Sequence, residues 1–207
     1  MKQLIVDYTP FRITPQQINE SMKSNNGRLV VEGVIQRADV QNQNSRVYPF
    51  PILQRESKKY NSLIEQKRAL GELDHPNSSI VNLSNVSHNI IETWWKDKDL
   101  CGKIEILNTP SGQILKELLK SGVTLGISSR GIGSVKEIQL EGDGGGTAYE
   151  IQEDFELICF DFVSNPSTHG AFMKPVNESK EVKMKNDKTN LINQLITDVL
   201  CDISKIK

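Results

Sequence analysis

The sequence predicts an α+β fold in which a β-rich core carries a few inserted helices. Three observations lead there. Runs rich in Val, Ile and aromatic residues recur from residue 28 to residue 164. Two shorter stretches hold their apolar residues at helical spacing instead. Between them lie turns rich in Gly, Asn and Asp.

The first strand is expected in Arg28 to Val40, behind the turn residues Asn25-Asn26-Gly27, with an extended arm upstream. From Pro49 to Gln66, Leu53, Tyr60, Leu63 and Ile64 recur near helical spacing behind prolines suited to a first turn, which predicts an amphipathic helix. VSHNIIETWW and LCGKIEIL flank the charged KDKD and predict a hairpin. SGQILKELLKSG predicts a second helix, with Ser111 as N-cap, one stripe of Ile114, Leu115, Leu118 and Leu119, and Gly122 at C′. Four further strands follow in VTLGISSR, SVKEIQL, TAYEIQ and DFELICFDFVS, the middle pair joined by EGDGGG.

After Pro175 the chain becomes polar and lysine-rich, so the expected organisation is an arm at 1–27, a folded domain at 28–175 and a tail at 176–207. In the tail, Ile192, Ile196, Val199, Ile203 and Ile206 keep coiled-coil spacing. That seam suits a helix docking on a partner or folding back on its own domain.

Lys+Arg of 25 against Asp+Glu of 26 leaves a net charge of −1, so no global field favours nucleic acid or an anionic membrane. No apolar run approaches the ~20 residues that span a bilayer, and no signal-peptide pattern opens the chain. The expectation is a soluble intracellular protein. Cys101, Cys159 and Cys201 fit neither a disulfide framework nor a paired metal motif. The glycine runs lack the lysine and hydroxyl residue of a phosphate loop.

Candidate chemistry begins in VTLGISSRG. On a regular strand Val123, Leu125, Ile127 and Ser129 share the apolar face, while Gly126, Ser128 and Arg130 share the other. Ser128 is therefore better placed than Ser129 as a nucleophile, against the alternative of two ordinary serines at a strand end. A serine hydroxyl needs a base, and the imidazoles are His75, His88 and His169. His75 lies in the polar turn GELDHPNSS, where a side chain can project into a cleft. His88 reads as a strand histidine and His169 as a loop residue. Asp161 sits among apolar neighbours in DFELICFDFVS, so it needs a strong partner, either a histidine N–H or a structural salt bridge. Glu72, Asp74, His75 and His88 are also zinc-ligand types, but their spacing fits no common motif, and no metal is expected.

GELDHP around His75, TWW at Thr93 to Trp95, GISSRGIGS around Ser128 and FDFVSNPS around Asp161 resemble the prohead core proteases of T-even-type tailed phages. The likeness runs from about Val30 to Phe172 and includes RADVQNQNSRVYP. That family is similar to the herpesvirus maturation proteases, so the resemblance implies a barrel-like β core surrounded by helices and a serine endopeptidase without cofactor. It implies Ser128 as nucleophile, His75 as base and Asp161 as third member, with Arg130 and Gly131 as candidates for oxyanion support. The implied substrates are scaffold, core and capsid proteins, cut after Glu in Ile/Leu-x-Glu contexts inside the assembling prohead in the host cytoplasm. Self-cleavage is expected after Glu20, and at the looser match ending in Glu178. Nucleic acid and membrane are not expected partners; a homo-oligomer is left open. The competing reading is a catalytically inactive scaffold protein of the same fold.

Overall fold

The computed structural model describes residues 3–11, 15–76, 78–123, 125–140, 146–164 and 174–175. Among them the chain is α+β, with three sheets and three helices. The tail at 176–207, His169 and Glu178 lie outside the described residues.

A five-stranded sheet has the order β11 (Lys174–Pro175), β2 (Leu29–Arg37), β6 (Asp99–Ile106), β5 (Val86–Lys96) and β4 (Leu70–Glu72), all antiparallel. The predicted hairpin is β5 and β6, and Asp97 in its charged turn takes a positive φ of 53°. A three-stranded sheet sets β7 (Leu125–Gly133) between β1 (Gln3–Phe11) and β10 (Glu156–Val163), again antiparallel. The third sheet has the order β3 (Arg46–Val47), β9 (Thr147–Ile151) and β8 (Val135–Gln139).

Helix α2 (Phe50–Glu65) follows Pro49 and buries Ile52, Leu53 and Tyr60, as its spacing predicts. Helix α3 (Pro110–Lys120) departs from expectation at its start. Its N-cap is Thr109, whose hydroxyl accepts from Gly112 N at 3.0 Å, because Pro110 supplies the first turn and moves the helix start ahead of Ser111. Its stripe is also narrower: Leu115 and Leu119 are fully buried, but Ile114 is 55% exposed. Gly122 follows with φ +77°, the left-handed geometry expected at C′.

Two expectations are corrected. The segment 1–27, expected as an extended or ragged arm, packs into the fold: β1 pairs with β7 along its whole length, and helix α1 (Pro15–Ser24) buries Ile18 in the main core. Nor is there a closed barrel among the described residues. The three-stranded β1-β7-β10 sheet packs against the five-stranded sheet, and at one seam the parallel bridge Leu73↔Phe162 joins the residue after β4 to β10. Strand β4 spans only Leu70–Glu72, too short to extend that bridge into a ladder. The main core fills the space these sheets enclose, with Val31, Ile90, Ile104, Leu115, Leu119, Ile127, Phe160 and Phe162 in one cluster.

The seam requires a glycine. A Cβ at position 71 would lie 2.0 Å from the Phe160 carbonyl oxygen and 2.3 Å from His88 Nε2, so only Gly71 lets β4 approach β10 so closely. Gly71→Ala is expected to destabilise the protein by about 3 kcal/mol and lower its Tm by several degrees. A thermal melt within a degree of wild type would contradict this packing.

Candidate active site

Ser128 occupies the middle of β7, paired on one side with Tyr8 of β1 and on the other with Asp161 of β10. The period-2 phase divides the two serines as expected. Ser129 faces the interior, where its Oγ accepts from Gln36 Nε2 at 3.1 Å. Ser128 faces away from that contact, fully buried, and its Oγ has no hydrogen-bond partner among the described residues.

His75 reaches the same place from the other sheet. Just past β4 the chain turns sharply: Asp74 takes φ 70°, and its amide donates to Phe162 O at 2.8 Å. The turn carries the His75 ring to the Asp161 carboxylate, with Nδ1 3.4 Å from Oδ2. The ring is 14% exposed, and neither of its nitrogens has an aligned hydrogen-bond partner among the described residues. The structure thus places the His75 ring beside the carboxylate of Asp161, the residue that pairs with Ser128 in the ladder.

Asp161 serves more than the imidazole. Its Oδ2 lies 2.9 Å from Arg130 Nε, and its Oδ1 accepts from Arg130 Nη2 at 3.1 Å and from the Glu72 amide at 2.9 Å. Arg130 in turn donates through Nη2 to Glu72 Oε1 at 2.7 Å and through Nη1 to Ser78 O at 2.9 Å. Arg130, Glu72 and Asp161 are all fully buried. Of the two partners weighed for Asp161, the salt bridge to Arg130 is formed at 2.9 Å, while the His75 ring lies beside the carboxylate at 3.4 Å without a hydrogen bond.

Burial and the Arg130 charge push the His75 pKa down to about 4, against the pull of Asp74 and Glu72. The imidazole is neutral at pH 7, the form a general base needs. Burial raises Asp161 to about 6, opposed by Arg130. Cys159, beside both, is held as a thiol: burial and then Asp161 raise its pKa.

The remaining candidates sort by their contacts. His88 is buried in β5, its Nε2 donating to Phe160 O at 2.9 Å, its Nδ1 2.9 Å from Ser87 Oγ and its ring edge-on to Phe162. That is a core histidine. Glu72 turns to Arg130 and His88 to Phe160, and no group of three metal-ligating side chains forms among the described residues. The Arg130 guanidinium is engaged by Glu72, Asp161, Ser78 and Cys159. At Gly131 a Cβ would meet the Phe155 ring at 2.4 Å, which gives that glycine a packing reason. Sequence reasoning weighed Glu72 only as a zinc-ligand type and did not foresee its pairing with Arg130. A carboxylate in the short run Leu-Gly-Glu just before His75 was its only signal.

A family model described as the prohead core protein serine protease matches residues 5–181. The chain belongs to this family. It is 35% identical over 152 residues to the prohead core protein protease of Enterobacteria phage T4, covering 71% of this chain and 68% of that protein. The solved structure of the bacteriophage T4 capsid assembly protease matches with a TM-score of 0.63 and 26% identity, covering 78% of this chain and 98% of that one. As a prohead core protein protease, the protein is a capsid maturation peptidase.

The two depressed histidines set a pH dependence in this peptidase. His75 and His88 each bind a proton more weakly folded (about 4) than unfolded (6.5), so their contribution to stability is lost as pH falls below about 6.5. Asp161, raised to about 6, acts in the opposite sense over part of that window. Two imidazoles outweigh one carboxyl, and stability should fall by about 2 kcal/mol between pH 7 and pH 5. Chemical denaturation at the two pH values measures it; equal stabilities, with both rings titrating near 6.5 by NMR, would contradict the buried neutral assignment.

Proposed function

We propose that the protein is a serine endopeptidase in which Ser128 is the nucleophile, His75 the general base and Asp161 the carboxylate that receives the imidazolium. The observation that carries this reading is the ladder register Ser128↔Asp161, with the His75 ring brought to that same carboxylate at 3.4 Å. The three groups come from β7, the turn after β4, and β10, so the site forms only when the two sheets meet.

In acylation, His75 takes the Ser128 proton as Oγ bonds to the scissile carbonyl carbon, and the imidazolium gains the negative Asp161 beside it. The C–N bond then breaks and His75 passes the proton to the leaving amine. A water, deprotonated by the same imidazole, releases the acid and restores Ser128. The substrates in this reading are the scaffold, core and capsid proteins of the prohead, cut after Glu in Ile/Leu-x-Glu contexts, and the protease itself.

Two structural facts shape how this works. Ser128 is fully buried, so substrate entry needs a local opening of the site. Glu20 lies within α1, two residues from the fully buried Ile18, so self-cleavage there requires that helix to unwind first.

Ser128→Ala and His75→Ala are each expected to lower cleavage of a Leu-x-Glu peptide by at least about a thousandfold. Mass spectrometry of wild-type protein should show loss of the segment ending at Glu20, while Ser128→Ala stays intact. Wild-type cleavage undiminished in either variant would remove the assignment. No cleavage by wild type in any assembly state would favour the scaffold reading.

A further inference from the structure

The pair Ser128 and His75 leaves one buried charge unexplained. Glu72 is fully buried and hydrogen-bonded within the Arg130 network. Its Oε1 accepts from Arg130 Nη2 at 2.7 Å and from the Asn82 amide at 2.9 Å, and its own amide donates to Asp161 Oδ1 at 2.9 Å. Its Oε2 has no partner among the described residues. Glu72 thus binds both Arg130 and Asp161, and it pins the two ends of the loop on which His75 rides. Arg130 pins the middle through Ser78 O.

The charges in this cluster do not cancel. Glu72 and Asp161 are two carboxylates against the single guanidinium of Arg130, which leaves one net negative charge in a fully buried place. Without Glu72, Arg130 and Asp161 would neutralise each other, and the imidazolium formed during acylation would meet no net charge. With Glu72 sharing Arg130, the protonated His75 becomes the fourth member that completes the balance. We propose that Glu72 is a positioning residue of the peptidase: by pairing with Arg130 it leaves the negative charge of Asp161 available to the imidazolium that His75 becomes on taking the Ser128 proton.

Among the other groups near the ring, only Asp74 pulls in the same direction as Glu72, and it does so from the surface, outside the buried cluster. Asp74, next to His75 in the chain, is exposed and screened by water, and its Oδ1 already accepts from the His75 amide at 2.9 Å. Cys159 on β10 and Tyr60 on α2 are both held neutral by burial. Arg130 on β7 acts in the opposite sense. Consistent with this, the Glu72 charge, after that of Asp74, raises the affinity of His75 for its proton, against burial and Arg130.

The inference rests on His75 being the base, and the test separates the two. Glu72→Gln keeps the Oε1 acceptor for Arg130 and Asn82 and removes only the charge. It is expected to lower kcat about tenfold with KM unchanged, to move the acid limb of the kcat/KM profile to lower pH, and to lower the His75 titration read by NMR. Glu72→Asp, which keeps the charge, should recover most of both. If Glu72→Gln does not fold, Asp161→Asn removes the other negative charge and must lower the His75 titration in the same way. Wild-type kcat and an unmoved His75 titration in folded Glu72→Gln, or an unmoved titration in Asp161→Asn, would overturn the inference. Cleavage that survives His75→Ala would instead remove the base assignment on which it rests.

Discussion

A fully buried guanidinium is the constraint around which the rest of this site is arranged. Arg130 stands on the same face of β7 as Ser128, two residues along, and its side chain is wholly inside the protein. Removing such a charge from water costs several kcal/mol, and removing one partner of a buried pair commonly costs about 3–5 kcal/mol. The cost is offset only where carboxylates and carbonyls converge on every donor. They come from two directions: Asp161 and Cys159 from the adjoining β10, and Glu72 from β4 with Ser78 from the loop that follows it. The demand of one side chain therefore ties the segment that carries His75 to the strand that carries Ser128.

That arrangement explains why the site lies at a seam and not within a ladder. Inside a continuous sheet, neighbouring strands are held at a fixed spacing and their side chains point up or down. Where β4 ends after Glu72 and the ladder to β10 is reduced to the bridge Leu73↔Phe162, the chain is free to turn at Asp74 and swing an imidazole over the adjacent face. Gly71 allows the close approach, and His88 beneath it fastens β5 to the Phe160 carbonyl. The opposite face of β10 contributes Phe160 and Phe162 to the core, so the same strand supplies the core and the site carboxylate.

Much of this was legible in the sequence because it depends on period and local chemistry. Alternation placed Ser128 and Ser129 on opposite faces, the apolar neighbours of Asp161 signalled that it needed a strong partner, and helical spacing located α2 and α3. What was not legible depends on distant pairing. Arg130, in a run of serines and glycines, carries no local sign that it is buried, and Glu72 becomes a site residue only when β4 reaches β10. The strand β1 was read as an arm because its role is to pair with β7, more than a hundred residues away in sequence. The N-cap of α3 was misplaced by two residues because Thr109 and Ser111 both offer a hydroxyl, and Pro110 decides between them. The barrel expected from the herpesvirus likeness is absent among the described residues, where the strands form three separate sheets.

The central claim is that Ser128 is made nucleophilic by His75, and covalent labelling tests it most directly. A serine-directed fluorophosphonate, followed by peptide mapping of the intact protein, should place one adduct on Ser128 and none in His75→Ala. An adduct on Ser129, or equal labelling of Ser128 when His75 is absent, would contradict it.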